Sequence, residues 1–167
     1  CLISQCLPDS APFVLAVWAC YEGGLLGQPE AAAERCEAAA RLAERPAWRG
    51  ALCRMLEVSG IFVVFWVRHL RETLDLFQHS IRAGRDSGDN EFCAYSVAGW
   101  PKHAFYASVE LAEVEARSLE LRAITDAIHF DTHSRWVDIY VTAAQLLSGM
   151  SSVHGTVWRG TLFDEER

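Results

Sequence analysis

His129 and His133 stand four residues apart, the spacing at which one helical face can offer two imidazoles to a metal ion. The zinc-peptidase form of that pattern also needs a Glu directly after the first His. Phe130 stands there instead, and Asp131 and Thr132 have the composition of a helix cap. His103 follows Pro101 and Lys102, but no Ser or Cys nucleophile with an acidic partner can be assembled around it, so it reads as a structural histidine. Gly23, Gly24 and Gly27 match a phosphate loop only in composition, because no Lys follows and no strand precedes them; they read as helix terminators. The acids Glu110, Glu113 and Glu115, or Asp164, Glu165 and Glu166, could serve as general acid and base only in a pocket that shifts their pKa values. Their surroundings instead mark a solvated face and a polar tail. The expectation is that the chain has no catalytic, cofactor-binding or metal-binding residue.

Composition narrows the classes further. With 51% hydrophobic and 22% charged residues the chain can bury a sizeable core, which excludes disorder. The net charge is -7 and the Lys and Arg residues are scattered among acids, so no basic stripe exists to track a phosphate backbone, and nucleic acid is not an expected partner. The cysteines Cys1, Cys6, Cys20, Cys36, Cys53 and Cys93 form no C-x-x-C pair. The middle ones sit among Ala, Leu and Trp at helical positions, where free Cys acts as a small hydrophobe, and this points to a reducing, cytoplasmic setting. The longest apolar run, Ile61 to Val67, is far short of the ~20 residues that span a bilayer. No signal peptide is visible. A start at Cys1 and an end in the charged run 164–167 suggest a segment of a longer chain.

The elements that must position these residues are helices, recurring with a period of about 40 residues that signals a helical-repeat array. Asp9 and Ser10 before Pro12 open the first helix, in which Phe13, Val14, Val17, Trp18, Tyr21 and Leu25 trace one apolar face. Pro29 opens a second, whose inward stripe, Ala32, Cys36, Ala39 and Ala43, is all small. Arg45-Pro46 breaks it. A third is expected over Arg49 to Val67, apolar all round by Ile61 and therefore covered on several sides. The fourth carries the seam Leu70, Leu74, Phe77 and Ile81, with Gln78 turned outward, and closes at Gly88. Asp89 or Asn90 caps a fifth helix that Pro101 should kink or break. A sixth, Val109 to Ile128, turns Leu111, Val114, Leu121, Ile124 and Ile128 inward, and a seventh runs from Thr132 to Leu147 through Trp136, Ile139, Tyr140 and Ala143. The Ser/Gly-rich stretch from Met150 to Gly160 reads as loop. Trp48, Trp100 or Trp158, if exposed, would be partner anchors.

These patterns give an all-α fold of about seven helices, an α-solenoid of antiparallel pairs in one segment over 1–167. The pairs are expected at 12–43, 49–87 and 90–128, with a fourth starting at 132–148. Several runs then bring a family into view: His69 to Leu74, Gly84, Gly88 to Ser96, Leu111 to Glu115 and Phe163 to Glu166. Together they resemble the tetratricopeptide-like repeat region of very large signalling proteins. In those, a Ser/Thr-kinase-like domain and an AAA/STAND-type ATPase precede the array, and GAF or PAS sensors and a histidine kinase follow it. The resemblance implies a non-catalytic scaffold that couples the ATPase or kinase module to the sensor and histidine-kinase domains. Its partner would be another protein or a neighbouring domain. None of the family's catalytic motifs has a counterpart here. Two other readings stand beside it: the effector array of a STAND-type transcription regulator, and a small all-α enzyme or metal-binding bundle using His103, His129 and His133.

Overall fold

The computed structural model describes residues 8–149, together with the backbone of Ser152–His154 and Val157–Arg159. Seven α-helices occur among them: α1 (Ala11–Gly24), α2 (Pro29–Ala43), α3 (Leu52–Phe62), α4 (Glu72–Ser87), α5 (Asn90–Tyr106), α6 (Leu111–Ala127) and α7 (Asp131–Leu147). Short 3-10 turns at Pro46–Ala51 and Val64–Trp66 flank α3. The chain is all-α, its helices packed as sequence neighbours: α1 on α2, α3 on α4, α6 on α7, with α3 also lying against α1 and α2. Contacts divide it into two compact units, 1–96 and 97–167. No helix among the described residues is long and apolar enough to cross a membrane.

Proline and glycine set most boundaries. Pro12 and Pro29 occupy the first turns of α1 and α2, where a missing N–H costs nothing. Arg45, held extended by Pro46, ends the run after α2. Gly88 takes the left-handed conformation at φ 76°, and Asp89 N–H donates back to the Gly84 carbonyl at 2.9 Å, closing α4. The Asp89 carboxylate then accepts from Phe92 N–H at the start of α5.

In the first unit the core is made of small side chains on one side and medium ones on the other. Ala16, Ala39 and Ala43 pack with Leu52, Met55, Leu56 and Val58, while Ala19, Ala32 and Cys36 surround Val63. The alanine stripe of α2 is therefore the packing face the sequence indicates. Gly84 marks a second close approach. A Cβ there would lie 2.8 Å from both Cys53 Sγ and Cys93 Cβ.

Several expectations need correction. The apolar face of α1 points outward: Val14, Val17, Trp18, Tyr21 and Leu25 are exposed, and the helix buries Ala11, Pro12, Ala16, Ala19 and Glu22. The expected helix over Arg49 to Val67 is interrupted at Val63, whose backbone leaves the helical region. Of the run from Ile61 only Val63 is buried, with Phe62 and Trp66 exposed. The Trp66 indole N–H donates to the Phe62 carbonyl at 3.1 Å. Pro101 neither ends nor breaks α5, which runs through it, and Trp100, His103 and Ala104 on the same helix are buried. In α6 the buried positions are Val114, Ser118, Leu121 and Thr125, and Leu111, Ile124 and Ile128 are only half-buried. In α7 the expected inward residues Trp136, Ile139 and Leu147 are exposed, and His133, Ser134, Val137, Asp138, Val141 and Thr142 are buried. Part of the expected loop is a short antiparallel strand pair, with Val153 opposite Trp158. The rest of that stretch, and the tail acids, lie outside the described residues.

The seam of α4 does face inward at Phe77 and Ile81, and Phe77 is fully buried while Gln78 is half-buried at the edge. Phe77→Ala should therefore cost about 3 to 5 kcal/mol and Gln78→Ala less than about 0.5 kcal/mol in urea melts. Gly84→Ala should destabilise by about 2 kcal/mol or more in the same melts, because the new methyl collides with two neighbours at once.

Candidate functional site

The three histidines are not assembled into a site. His103 is buried in α5, where desolvation first, and the Lys102 charge second, hold its imidazole well below the ordinary range, at about 4. His129 lies in the α6–α7 connection with φ 58° and is exposed, so it does not share a helical face with His133. His133 is buried in the first turn of α7, its ring 5.6 Å from Phe130 and 5.1 Å from Trp136. Among the described residues no three His, Cys, Asp or Glu groups converge as metal ligands would.

Other reactive side chains sit in or beside the core, their pKa values raised by burial. Cys20, Cys36, Cys53 and Cys93 are free thiols. Burial pushes Cys53 up to about 12 and Cys20 and Cys93 up to about 11, and it raises Cys36 as well. Cys53 belongs to a buried chain in which Ser96 Oγ donates to Ser80 Oγ at 2.7 Å and Ser80 Oγ donates to the Cys53 carbonyl at 2.8 Å. The arrangement ties α3, α4 and α5 together. Glu57 in α3 is buried with desolvation as the single cause of its shift, from the ordinary 4.5 to about 7. Its charge reaches Cys20, Cys53 and Tyr95.

Two bidentate or networked ion pairs fix the hairpins. Arg35 of α2 donates through Nε and Nη2 to the two Glu22 oxygens of α1, at 2.7 and 2.9 Å, and this pairing holds the carboxyl below its usual range. Between α6 and α7, Arg122 Nε donates to Asp138 at 2.5 Å and Nη1 to Asp126 at 2.5 Å. Asp126 also accepts from Ser134, whose hydroxyl pairs with Thr125 at 2.8 Å. Gln145 of α7 donates to Glu115 at 2.7 Å.

The outward face of α1 carries the largest group of exposed apolar side chains on one helix among the described residues. Trp18 is 50% exposed, Leu25 75%, and Val14, Val17, Tyr21 and Leu26 are open as well. The Trp18 and Tyr21 rings lie 5.3 Å apart, forming an aromatic ledge. No charged side chain occurs from Ala11 to Tyr21, and Glu22 is turned inward to Arg35. By contrast, the exposed side of α2 carries Glu34, Glu37 and Arg41. A contiguous apolar face with Trp and Tyr at its centre is what partner-binding surfaces present. A small cleft of about 130 Å³ between α2, α3 and α4 is lined by Ala33, Met55, Leu56 and Leu76, with Arg68 ion-paired to Glu37 and Glu72 at its rim. Of the tryptophans singled out as anchors, Trp48 and Trp100 are buried and the Trp158 side chain lies outside the described residues. Trp18, Trp66 and Trp136 are the exposed ones.

The fold is that of an all-α protein of packed helical hairpins, with an exposed, uncharged apolar face on α1. No family model, curated protein or solved structure matches the chain.

The buried carboxyl gives a pH signature. Because Glu57 titrates near 7 when folded and near 4.5 when unfolded, the unfolded state releases its proton first, so this group's cost is absent below about pH 4.5 and complete above about pH 7. Glu57→Gln should match the parent at pH 4 and be more stable by up to about 3 kcal/mol at pH 8, as read from paired urea melts.

Proposed function

We propose that this chain is a non-catalytic interaction segment. Its helical hairpins hold a docking face for another protein or for a neighbouring domain of a longer protein. The observation that carries this reading is the α1 face, where Val14, Val17, Trp18, Tyr21 and Leu25 stand in solvent on a helix whose packing side is alanine. Leaving that much apolar surface wet is unfavourable by about 25 cal/mol per Å², so such a surface persists where binding covers it. The resemblance of the Arg71 to Tyr95 region to the repeat arrays of large signalling proteins gives the setting: coupling an ATPase or kinase module to sensor and histidine-kinase domains in the cytoplasm. The neutral, core-locked state of the buried thiols and His103 supports a structural use of those groups.

A photo-crosslinking amino acid placed at Val17, with a second placement at Arg41 on the charged face of α2, tests this in the protein's native cells. Irradiation should give protein adducts through position 17 and none through position 41. Absence of adducts at 17, or equal yields at both positions, refutes the docking face.

A further inference from the structure

Basic side chains are scattered among acids over most of the chain, but two short stretches break that pattern. From Arg45 to Arg54 there are three arginines and no acid, and from Gln78 to Arg85 there are His79, Arg82 and Arg85 and no acid. The fold brings these stretches together. The 3-10 turn Pro46–Ala51, the start of α3 and the second half of α4 enclose a cleft of about 320 Å³ lined by Arg49, His79, Arg82 and Asp86, with Leu52 and Ala83 as its apolar part. Elsewhere an arginine with an acid four residues after it closes an ion pair, as Arg68 does with Glu72 and Arg122 with Asp126. Arg82 and Asp86 have the same order and spacing, yet neither they nor Arg49 make an ion pair or side-chain hydrogen bond with a described residue. Two guanidiniums from separate elements thus share one cleft with a single carboxylate, which leaves it locally positive in a chain of net charge -7.

We propose that this cleft binds a small phosphomonoester. Each guanidinium presents a planar fork that matches two phosphate oxygens, and a phosphate near double charge can satisfy both forks where a carboxylate satisfies one. Leu52 and Ala83 receive the carbon part of the ester. Asp86 repels a bare anion but accepts from a hydroxyl on that carbon part, so a polyol ester fits better than inorganic phosphate. The volume is that of a small-molecule site, which begins at about 300 Å³. Acids farther than about 10 Å from the cleft weigh little against the ligand, because salt at 0.1 M screens them.

Calorimetric titration of the full chain with glycerol phosphate and with inorganic phosphate, at fixed ionic strength, tests the site. Glycerol phosphate should bind at least about fivefold tighter than inorganic phosphate. Arg49→Gln and Arg82→Gln should each weaken the ester about tenfold or more at unchanged melting temperature, whereas Arg41→Gln on α2, outside the cleft, should not. If a glutamine variant melts early, Arg82→Lys, which keeps the charge and removes the fork, should still weaken the ester. Asp86→Asn should tighten inorganic phosphate while narrowing the preference for the ester. No binding of the ester, equal affinity for the two ligands, loss through Arg41→Gln, or equal tightening of both ligands by Asp86→Asn overturns the proposal. Inorganic phosphate bound alike by parent and arginine variants, with no tighter ester, marks an adventitious ion only and overturns it as well.

Discussion

The closeness of α1 to its neighbours is the constraint on which the first unit depends. A Cβ on Gly23 would lie 3.2 Å from the Ala32 Cβ, and Ala16, Ala19, Ala32 and Ala39 are all fully buried where α1, α2 and α3 meet. Helices this near each other have no room for Trp or Leu between them. Val14, Val17, Trp18, Tyr21 and Leu25 are therefore excluded from the interface by volume and turned to solvent, while Phe13 and Leu15 pack at the edge of the core. The exposed ledge is thus the geometric counterpart of the alanine core.

Small contacts contribute little apolar area apiece, and polar ties supplement them. Glu22 and Arg35 clasp α1 to α2 with a two-pronged bond, and Arg54 joins Asp89 at 2.6 Å while lying over the Phe92 ring. In the second unit the same logic goes further. Asp138, Ser134 and Gln145 face inward because their partners Arg122, Asp126 and Glu115 stand on α6, and satisfying those groups sets the rotation of α7. Trp136 and Ile139 are carried outward by that rotation.

The sequence was most readable where backbone chemistry decides. Pro12, Pro29, Pro46 and Gly88 mark their boundaries, and the alanine stripe of α2 was visible as a close-packing face. It was least readable where facing had to be inferred from hydrophobicity alone. That inference assumes the bulkiest stripe points inward, and it inverts on α1, where size rather than polarity selects the buried side. On α7 it inverts because a network across two helices outweighs the burial of Trp136 and Leu147. The same blindness covers the outward face of α1: its residues were legible as a stripe, but their exposure follows from Ala32 and Gly23 on the opposite side. Pro101 was over-read, since a helix anchored by buried Trp100 and Ala104 can tolerate one lost bond. The Val153 and Trp158 pairing flanks a Gly-Thr step, a hairpin signal too short to register as alternation.

The free thiols equip the fold to report its own motions. Cys36, Cys53 and Cys93 are buried in neutral form on different helices, and an alkylating reagent attacks only a solvent-reached thiolate. Each therefore reacts at a rate set by how often its surroundings open. Cys36 follows the parting of α2 from α1 and α3, whereas Cys53 and Cys93, pressed together around Gly84, follow the release of α4. Labelling kinetics on the unmodified chain can thus separate local breathing of the two hairpins without introducing a single probe.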